Sequence, residues 1–442
     1  MKVMKPALLA PLRHRDFRLL WTGMTTSLLG DGMLLVALAW QVYSMSGAPA
    51  AMSMVGVALS LPQVATLLFG GVVSDRFDRR RIMLLTDIVR GVCLAVLAVL
   101  TLADVIELWH ILAVVACYGA AAGFFGPAFD AIVPELVPAE DLVQANALDQ
   151  FVRPAALQMG GPALGGVLIA IGGSGWAFAL DAVTFTVSGA CLAAMRRARP
   201  AAGDTTGEEA PVGSMWSELR EGTRYVRRNV WLWGTFIAAT FTYLLFLGPT
   251  EVLLPYVVKH ELGGGAADLG LVLASGGVGA IAAALLVGQS GLPKRYITFM
   301  YGAWAFATLG VAGYGFASSS WQLAVACLLV NGFEAAGAIA WSTTKQRLVP
   351  AELLGRVSSV DWFVSIALLP LSYALAAPVA AAIGVRQTLI GAGLLGAVIT
   401  IAFLFLPGMR APQREGRAAP AAHRRPRGPG RHRYIPRRAV PA

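Results

Sequence analysis

Stretches of about twenty residues without one charged side chain, the length a helix needs to cross the hydrocarbon core of a bilayer, recur along this chain. They lie at 51–74, 111–129, 154–180, 229–250, 269–293, 362–385 and 387–409, and the run 296–333 holds one crossing and the start of another. Segments 17–43, 82–103 and 175–195 carry a few charges and are otherwise as apolar. Of 442 residues, 57% are hydrophobic and 14% charged, which leaves too little polar surface to wrap this much apolar material in water. The solvent is lipid, and the expected fold is an all-α membrane protein with about twelve transmembrane helices. An even number puts both termini on one side.

The charge pattern orients the bundle. Lys2, Lys5, Arg13 and Arg15 precede the first span, Arg76, Arg79, Arg80 and Arg81 lie between the second and third, and Arg196 to Arg228 fall between the sixth and seventh. Basic residues recur at Lys294–Arg295, at Lys345–Arg356 and in the tail, while the opposite loops offer little beyond Lys259 and Arg386. Because positive charge stays on the cytoplasmic side, both termini are expected in the cytoplasm, with the protein in a bacterial inner membrane. The net charge of +10 is accounted for by these loops, so no nucleic-acid partner is expected. The first apolar segment is longer than a signal-peptide core and lacks a cleavage pattern, so it should stay as helix 1. Cys93, Cys117, Cys191 and Cys327 fall inside spans at no metal-ligand spacing, so neither a disulfide framework nor a metal site is expected.

The sequence repeats itself. Leu136-Val137-Pro138-Ala139-Glu140 returns as Leu348-Val349-Pro350-Ala351-Glu352, an offset of 212 residues. Arg80-Arg81 is answered by Lys294-Arg295, and Gly161-Pro162 by Ala377-Pro378, at nearly the same offset. Two six-helix halves that both start on the cytoplasmic side are parallel repeats, related by an axis along the membrane normal, with a cavity between them. The expected division is 1–197 for the first half, 198–229 for a cytoplasmic connector with an amphipathic helix, 230–407 for the second half and 408–442 for a basic tail. The connector helix sets Trp216, Leu219, Thr223, Val226 and Val230 on one stripe; it lies at the interface or, in the blander reading, is a solvated linker. Arg410–Ala442 carries ten arginines and one glutamate, a composition expected to stay disordered and to touch anionic lipid headgroups.

Between the second and third spans the chain reads Gly70-Gly71-Val72-Val73-Ser74-Asp75-Arg76-Phe77-Asp78-Arg79-Arg80-Arg81. This resembles the loop signature of the major facilitator superfamily, with Asp78 where the signature usually has glycine. The resemblance implies that Gly71, Asp75, Arg76, Arg79 and Arg80 latch the cytoplasmic gate; a plain topology anchor is the alternative. In the fifth span, Gly161, Pro162, Gly165 and Gly166 combine a proline kink with glycines that permit close helix packing. They resemble the helix 5 signature of exporters and proton antiporters, with Leu157 where a glycine is usual. Gly126-Pro127-Ala128, Pro134 to Pro138, Asn146-Ala147-Leu148, Arg153-Pro154 and Gly355-Arg356-Val357 resemble the branch that holds enterobactin exporters and macrolide-efflux proteins.

A charge at bilayer depth costs about 2.5–3.5 kcal/mol and needs a partner, a wet cavity or a protonation event. Asp31, between Gly30 and Gly32 in helix 1, is the first candidate for a proton-carrying carboxylate, against a static hydrogen-bonded role. Glu334, midway along helix 10 with no basic residue within a turn, is a candidate cation or proton site. Glu251, between Pro249 and Pro255, suggests a broken helix lined by polar groups. Arg153 either reaches the cavity to receive an anion or bridges to Asp149. Asp87 and Arg90, three apart, read as an internal ion pair; Asp130, Asp181 and Asp361 read as helix-end groups. None of the five lysines follows a glycine, so a phosphate-binding loop is missing. No cofactor or enzymatic constellation is expected, and energy must come from an ion gradient. The expected function is proton-coupled export of a small amphipathic compound, a drug, antibiotic or siderophore, by a monomer in contact with membrane lipids. Uptake, lipid flipping, or a non-transporting scaffold or sensor are the alternatives.

Overall fold

The computed structural model describes residues 7–138, 141–196 and 224–418. Most of the expected connector and of the tail therefore lies outside the described residues. With no water to satisfy backbone groups in lipid, each crossing closes its own hydrogen bonds as a helix, and no strand occurs among the described residues. A 3-10 segment, Ala7–Arg13, leads into α1 (Arg15–Met45), α2 (Pro49–Arg76), α3 (Arg79–Leu102) and α4 (Leu108–Leu136). The next helix, α5, runs as Leu142–Arg153, a π-wound stretch Pro154–Gly160 and Gly161–Gly172, and α6 spans Ser174–Ala194. In the second half α7 runs from Val230–Gly248 through Pro249–Leu253, Leu254–Tyr256 and Val257–Glu261. Then follow α8 (Ala266–Ser290), α9 (Tyr296–Phe316) and α10 (Ser320–Leu348). Two arms, Ala351–Ala367 and Leu369–Ile383, make up α11; α12 is Val385–Leu404 and α13 is Ala411–Ala418. Eleven of these helices are long and apolar enough to cross a membrane. The remaining one of the expected twelve, α9, is 21 residues without a charged side chain, its apolar character diluted by Gly, Tyr and Trp.

The repeat read from the sequence is present in the helices. Leu136 ends α4 and Leu348 ends α10, each helix being 29 residues long. Gly173 (φ 85°) turns the chain from α5 into α6, and Gly384 (φ 95°) does so from α11 into α12, a left-handed conformation that favours glycine. Packing follows the same plan twice: α1 with α6, α2 with α4, and α3 with α4 and α6 in the first half; α7 with α12, α8 with α10, and α9 with α10 and α12 in the second. The cross-half seams exchange under the same operation, α5 against α8 and α2 against α11.

Both described chain ends lie on one face of the bundle. There Arg15 donates to the Ala194 carbonyl at the end of α6 (3.1 Å). Gln413 accepts from the Ile297 N–H at the start of α9 (3.1 Å). At the far face the halves touch through α1 and α7: the Tyr43 hydroxyl donates to the Val252 carbonyl (2.5 Å), and Lys259 donates to the Ser44 hydroxyl (2.5 Å) while stacking over Trp40. Among the described residues no comparable seam joins α4 to α10, or the first arms of α5 and α11 to the opposite half, at the terminal face. Among the described residues the halves meet at the far face and show no comparable contact at the terminal face.

The expected break in α7 takes another form. Pro249 and Pro255 remove backbone donors, but the helix continues by widening into π turns at Pro249–Leu253 and Val257–Glu261.

Candidate functional site

Helix α1 brings its central carboxylate to the middle of the first half by packing closely on two neighbours. A side chain at Gly30 would collide with Asp181 and Thr184 of α6. One at Gly32 would stand 2.5 Å from the Leu157 carbonyl and 2.8 Å from Gly161 of α5. The glycines that flank Asp31 thus admit helices on two sides, and Asp31 turns toward α3 and α4. Its two oxygens accept from Arg90 Nη2 at 2.7 and 2.8 Å, and Oδ1 also accepts from the Tyr118 hydroxyl. The same Arg90 nitrogen lies 2.7 Å from the Tyr118 oxygen, and its guanidinium sits over the rings of Phe185 (4.3 Å) and Tyr118 (4.7 Å). The side chains of Arg90 and Asp31 are 7% and 20% exposed, so the cation is sealed and the carboxylate keeps an edge open.

The ion pair expected between Asp87 and Arg90 is redirected. Neighbours on one face of α3, they need not bond to each other: Arg90 reaches across to Asp31, while Asp87 Oδ2 accepts from the Ser188 hydroxyl of α6 (2.6 Å). Asp181 is not a helix-end group either. It lies two turns inside α6, fully buried, and among the described residues its carboxylate meets only the Thr184 hydroxyl, at 3.0 Å. Three carboxylates thus surround one guanidinium.

The second half is built differently. Glu334 of α10 is half-buried and has no hydrogen-bond or ion-pair partner among the described residues; Tyr243 of α7 stands within electrostatic reach of it. Glu251, on the first π turn of α7, accepts from the Tyr373 hydroxyl of α11. Asp361, another expected helix-end group, sits inside the bundle, where it accepts from Lys345 Nζ (2.7 Å) and from Trp341 Nε1 (2.9 Å) of α10. Arg153 faces Asp149 one turn earlier on α5 at 3.4 Å and is 45% exposed, the bridging geometry.

The helix 5 motif lies on packing seams. Gly161 and Gly165 face α1 at Gly32 and Met33, and Gly166 meets Ala266 and Gly270 of α8 in the other half. In the gate loop, the surroundings of Gly71 and the side chains of Asp75 and Arg76 lie outside what is described. Arg79 pairs with Glu135, and Arg80 donates to the Leu192 and Ala193 carbonyls that end α6 (both 2.6 Å), contacts within the first half. Asp78 caps α3 by accepting from the Arg81 N–H (3.2 Å), which accounts chemically for an aspartate where a glycine is usual.

Sequence reasoning missed Tyr118, the depth of Asp181 and the inward turn of Lys345. Gly30 was the usable signal for Asp181, since a glycine beside a membrane-buried carboxylate marks where another helix comes within contact.

Comparison with known proteins follows the same lines. The family model described as transmembrane secretion effector matches residues 6–426. Macrolide efflux protein A of Streptococcus pyogenes is 24% identical over 396 residues, 87% of this chain and 94% of that protein. Multidrug efflux pump Tap of Mycolicibacterium fortuitum is 27% identical over 402 residues, 86% of this chain and 93% of the relative. Enterobactin exporter EntS of Citrobacter koseri is 28% identical over 359 residues, 78% and 81% of the two chains. Among solved structures, a bacterial homologue of the iron transporter ferroportin in an inward-facing state superposes with a TM-score of 0.64 at 18% identity, covering 89% of this chain and 98% of the other.

Proposed function

Because this chain belongs to the transmembrane secretion effector family of major facilitator transporters, we propose that it drives a small amphipathic compound out of the cell in exchange for protons. The observation that carries this reading is Asp31, a carboxylate at mid-span with one edge open and the other held by Arg90 and Tyr118. A proton moving down 100 mV releases about 2.3 kcal/mol, and a carboxylate whose surroundings change between two openings of the bundle is the means to capture it. The efflux names of the relatives support the direction.

In this reading the protein sits in a bacterial inner membrane as a monomer. The arginine-rich terminal face is cytoplasmic by the positive-inside rule, which puts the contacts between α1 and α7 on the outer side. Residues 1–197 and 230–407 rock as two bodies about the α5/α8 and α2/α11 seams, joined by 198–229. Glu334 and Glu251 line the path in the second half, and the loop of Gly71, Asp75, Arg76, Arg79 and Arg80 closes the cytoplasmic gate in the opposite state. Arg153 stays a bridging residue, and the arginines that follow α13 in the sequence favour an anionic lipid surface.

The test is purified protein in liposomes with an imposed pH gradient, followed with ethidium, erythromycin and a catecholate siderophore. At least one compound should move uphill when protons move the other way, and nigericin should stop it. Transport indifferent to the gradient would remove proton coupling, and uphill movement in the same direction as protons would make the protein an importer.

A further inference from the structure

The three carboxylates of the first half do not have equal company. Asp31 accepts two hydrogen bonds from Arg90 and one from Tyr118. Asp87 accepts one from Ser188, and its Oδ1 has no partner. Asp181 has the least: Oδ2 is buried without a partner, and the Thr184 hydroxyl that approaches Oδ1 at 3.0 Å also lies 2.7 Å from the Asp181 backbone carbonyl, so one proton serves two acceptors. The residue is 0% exposed. An ionised carboxylate at such a site is costly unless paired.

Facing Asp181 are Asp31 of α1, Arg90 of α3 and the Tyr118 hydroxyl of α4; Asp87 of α3 meets α6 two turns further on, at Ser188, and α5 presents no ionisable side chain to Asp181 among the described residues. One guanidinium faces three carboxylates, and its Nη2 is spent on Asp31 and Tyr118 while its Nε, buried, has no partner. Full ionisation would leave two uncompensated negative charges in a medium that penalises even one.

We propose that Asp181 is where the exchanged proton rests in this conformation, with Asp31 as the ionised counter-ion that keeps Arg90 engaged. This rests on the proton-coupled reading and names the group that carries it. Release follows from the same contacts. When the Arg90 N–H groups leave Asp31 for Asp181, the Asp181 O–H bond breaks and an O–H bond forms on Asp31. Arg90 keeps its charge, the Asp31–Asp181 pair holds one proton before and after, Asp87 stays on Ser188, and the proton now sits on the partly exposed member of the pair. Gly30 lets the α1 backbone lie directly against Asp181, one residue away from Asp31.

Two measurements test this. In infrared difference spectra of the full chain in lipid at neutral pH, Asp181→Asn should remove a protonated-carboxyl C=O band that Asp87→Asn leaves in place. A band that survives Asp181→Asn intact would overturn the assignment. In liposomes, Asp181→Asn should still carry ethidium downhill but lose all acceleration by a pH gradient, whereas gradient-driven transport at the wild-type rate would sink the proposal. Asp181→Ser, also neutral and smaller, should repeat both results if the amide disturbs packing. Should the wild type itself show no response to the gradient, the coupled reading fails, while the infrared band still decides where the proton sits.

Discussion

A buried ion pair in lipid is tolerated only while both members stay matched. Arg90 is sealed between aromatic rings, and its charge is balanced by a carboxylate held through two hydrogen bonds. Removing one partner of such a pair typically costs about 3–5 kcal/mol, because the survivor is left charged and dry. Asp31→Asn should therefore lower the thermal unfolding midpoint of the detergent-solubilised protein strongly, and the double variant Asp31→Asn with Arg90→Met should recover much of the loss. A single variant as stable as wild type would mean that Arg90 finds Asp87 or Asp181 instead. The importance of Asp31 was legible in the sequence because a lone charge amid apolar residues has nowhere to hide. Its partner was not, because i,i+3 spacing on α3 gives Asp87 and Arg90 a shared face without saying which third helix offers the better acceptor.

Helix boundaries were legible where a breaker or a repeated motif marks them, as at Leu136 and Leu348. They were less so where the helix adapts: the π turns of α5 and α7 follow prolines that the sequence shows, but the sequence alone does not choose between widening and breaking. Contacts that tie short elements to the bundle were invisible. The Ala7–Arg13 segment is held to the start of α5 by Asp141, which accepts from Arg13 (2.8 Å) and lies 3.0 Å from His14 Nε2. The His14 hydrogen bond, with help from Arg13, holds the Asp141 carboxyl below its ordinary value. A depressed folded-state value means that the tether is at full strength above the unfolded value of about 3.9 and is lost as pH falls through the lower, folded one. Amide exchange at residues 7–14, corrected for intrinsic rate, should stay slow at neutral pH and rise only below about pH 4. Asp141→Asn should show the faster exchange already at pH 7, and a tether untouched by that change would be apolar in origin.

At the scale of the whole molecule, the two halves meet where small residues let backbones touch. Gly166 and Gly270 place α5 against α8 so closely that a side chain at Gly166 would stand 2.9 Å from the Gly270 Cα. Tyr373 of α11 lies over Gly56 of α2 in the seam related by the pseudo-twofold. In the proposed rocking of the two halves, each body seats on these glycines or leaves them, so that tilting one half opens the far face as a unit. The far-face bond between Ser44 and Lys259 is then made in one state and broken in the other. Cysteines placed at both positions (Ser44→Cys, Lys259→Cys), in a background without the exposed Cys117 and the partly buried Cys191, should be joined by a short bis-methanethiosulfonate reagent. Joined, the protein should stop moving ethidium altogether, and a reductant that cleaves the link should restore the original rate; either single cysteine treated the same way should remain active. Undiminished transport by the linked protein would require a path that never opens between α1 and α7, and with it the account of two rocking bodies would fall.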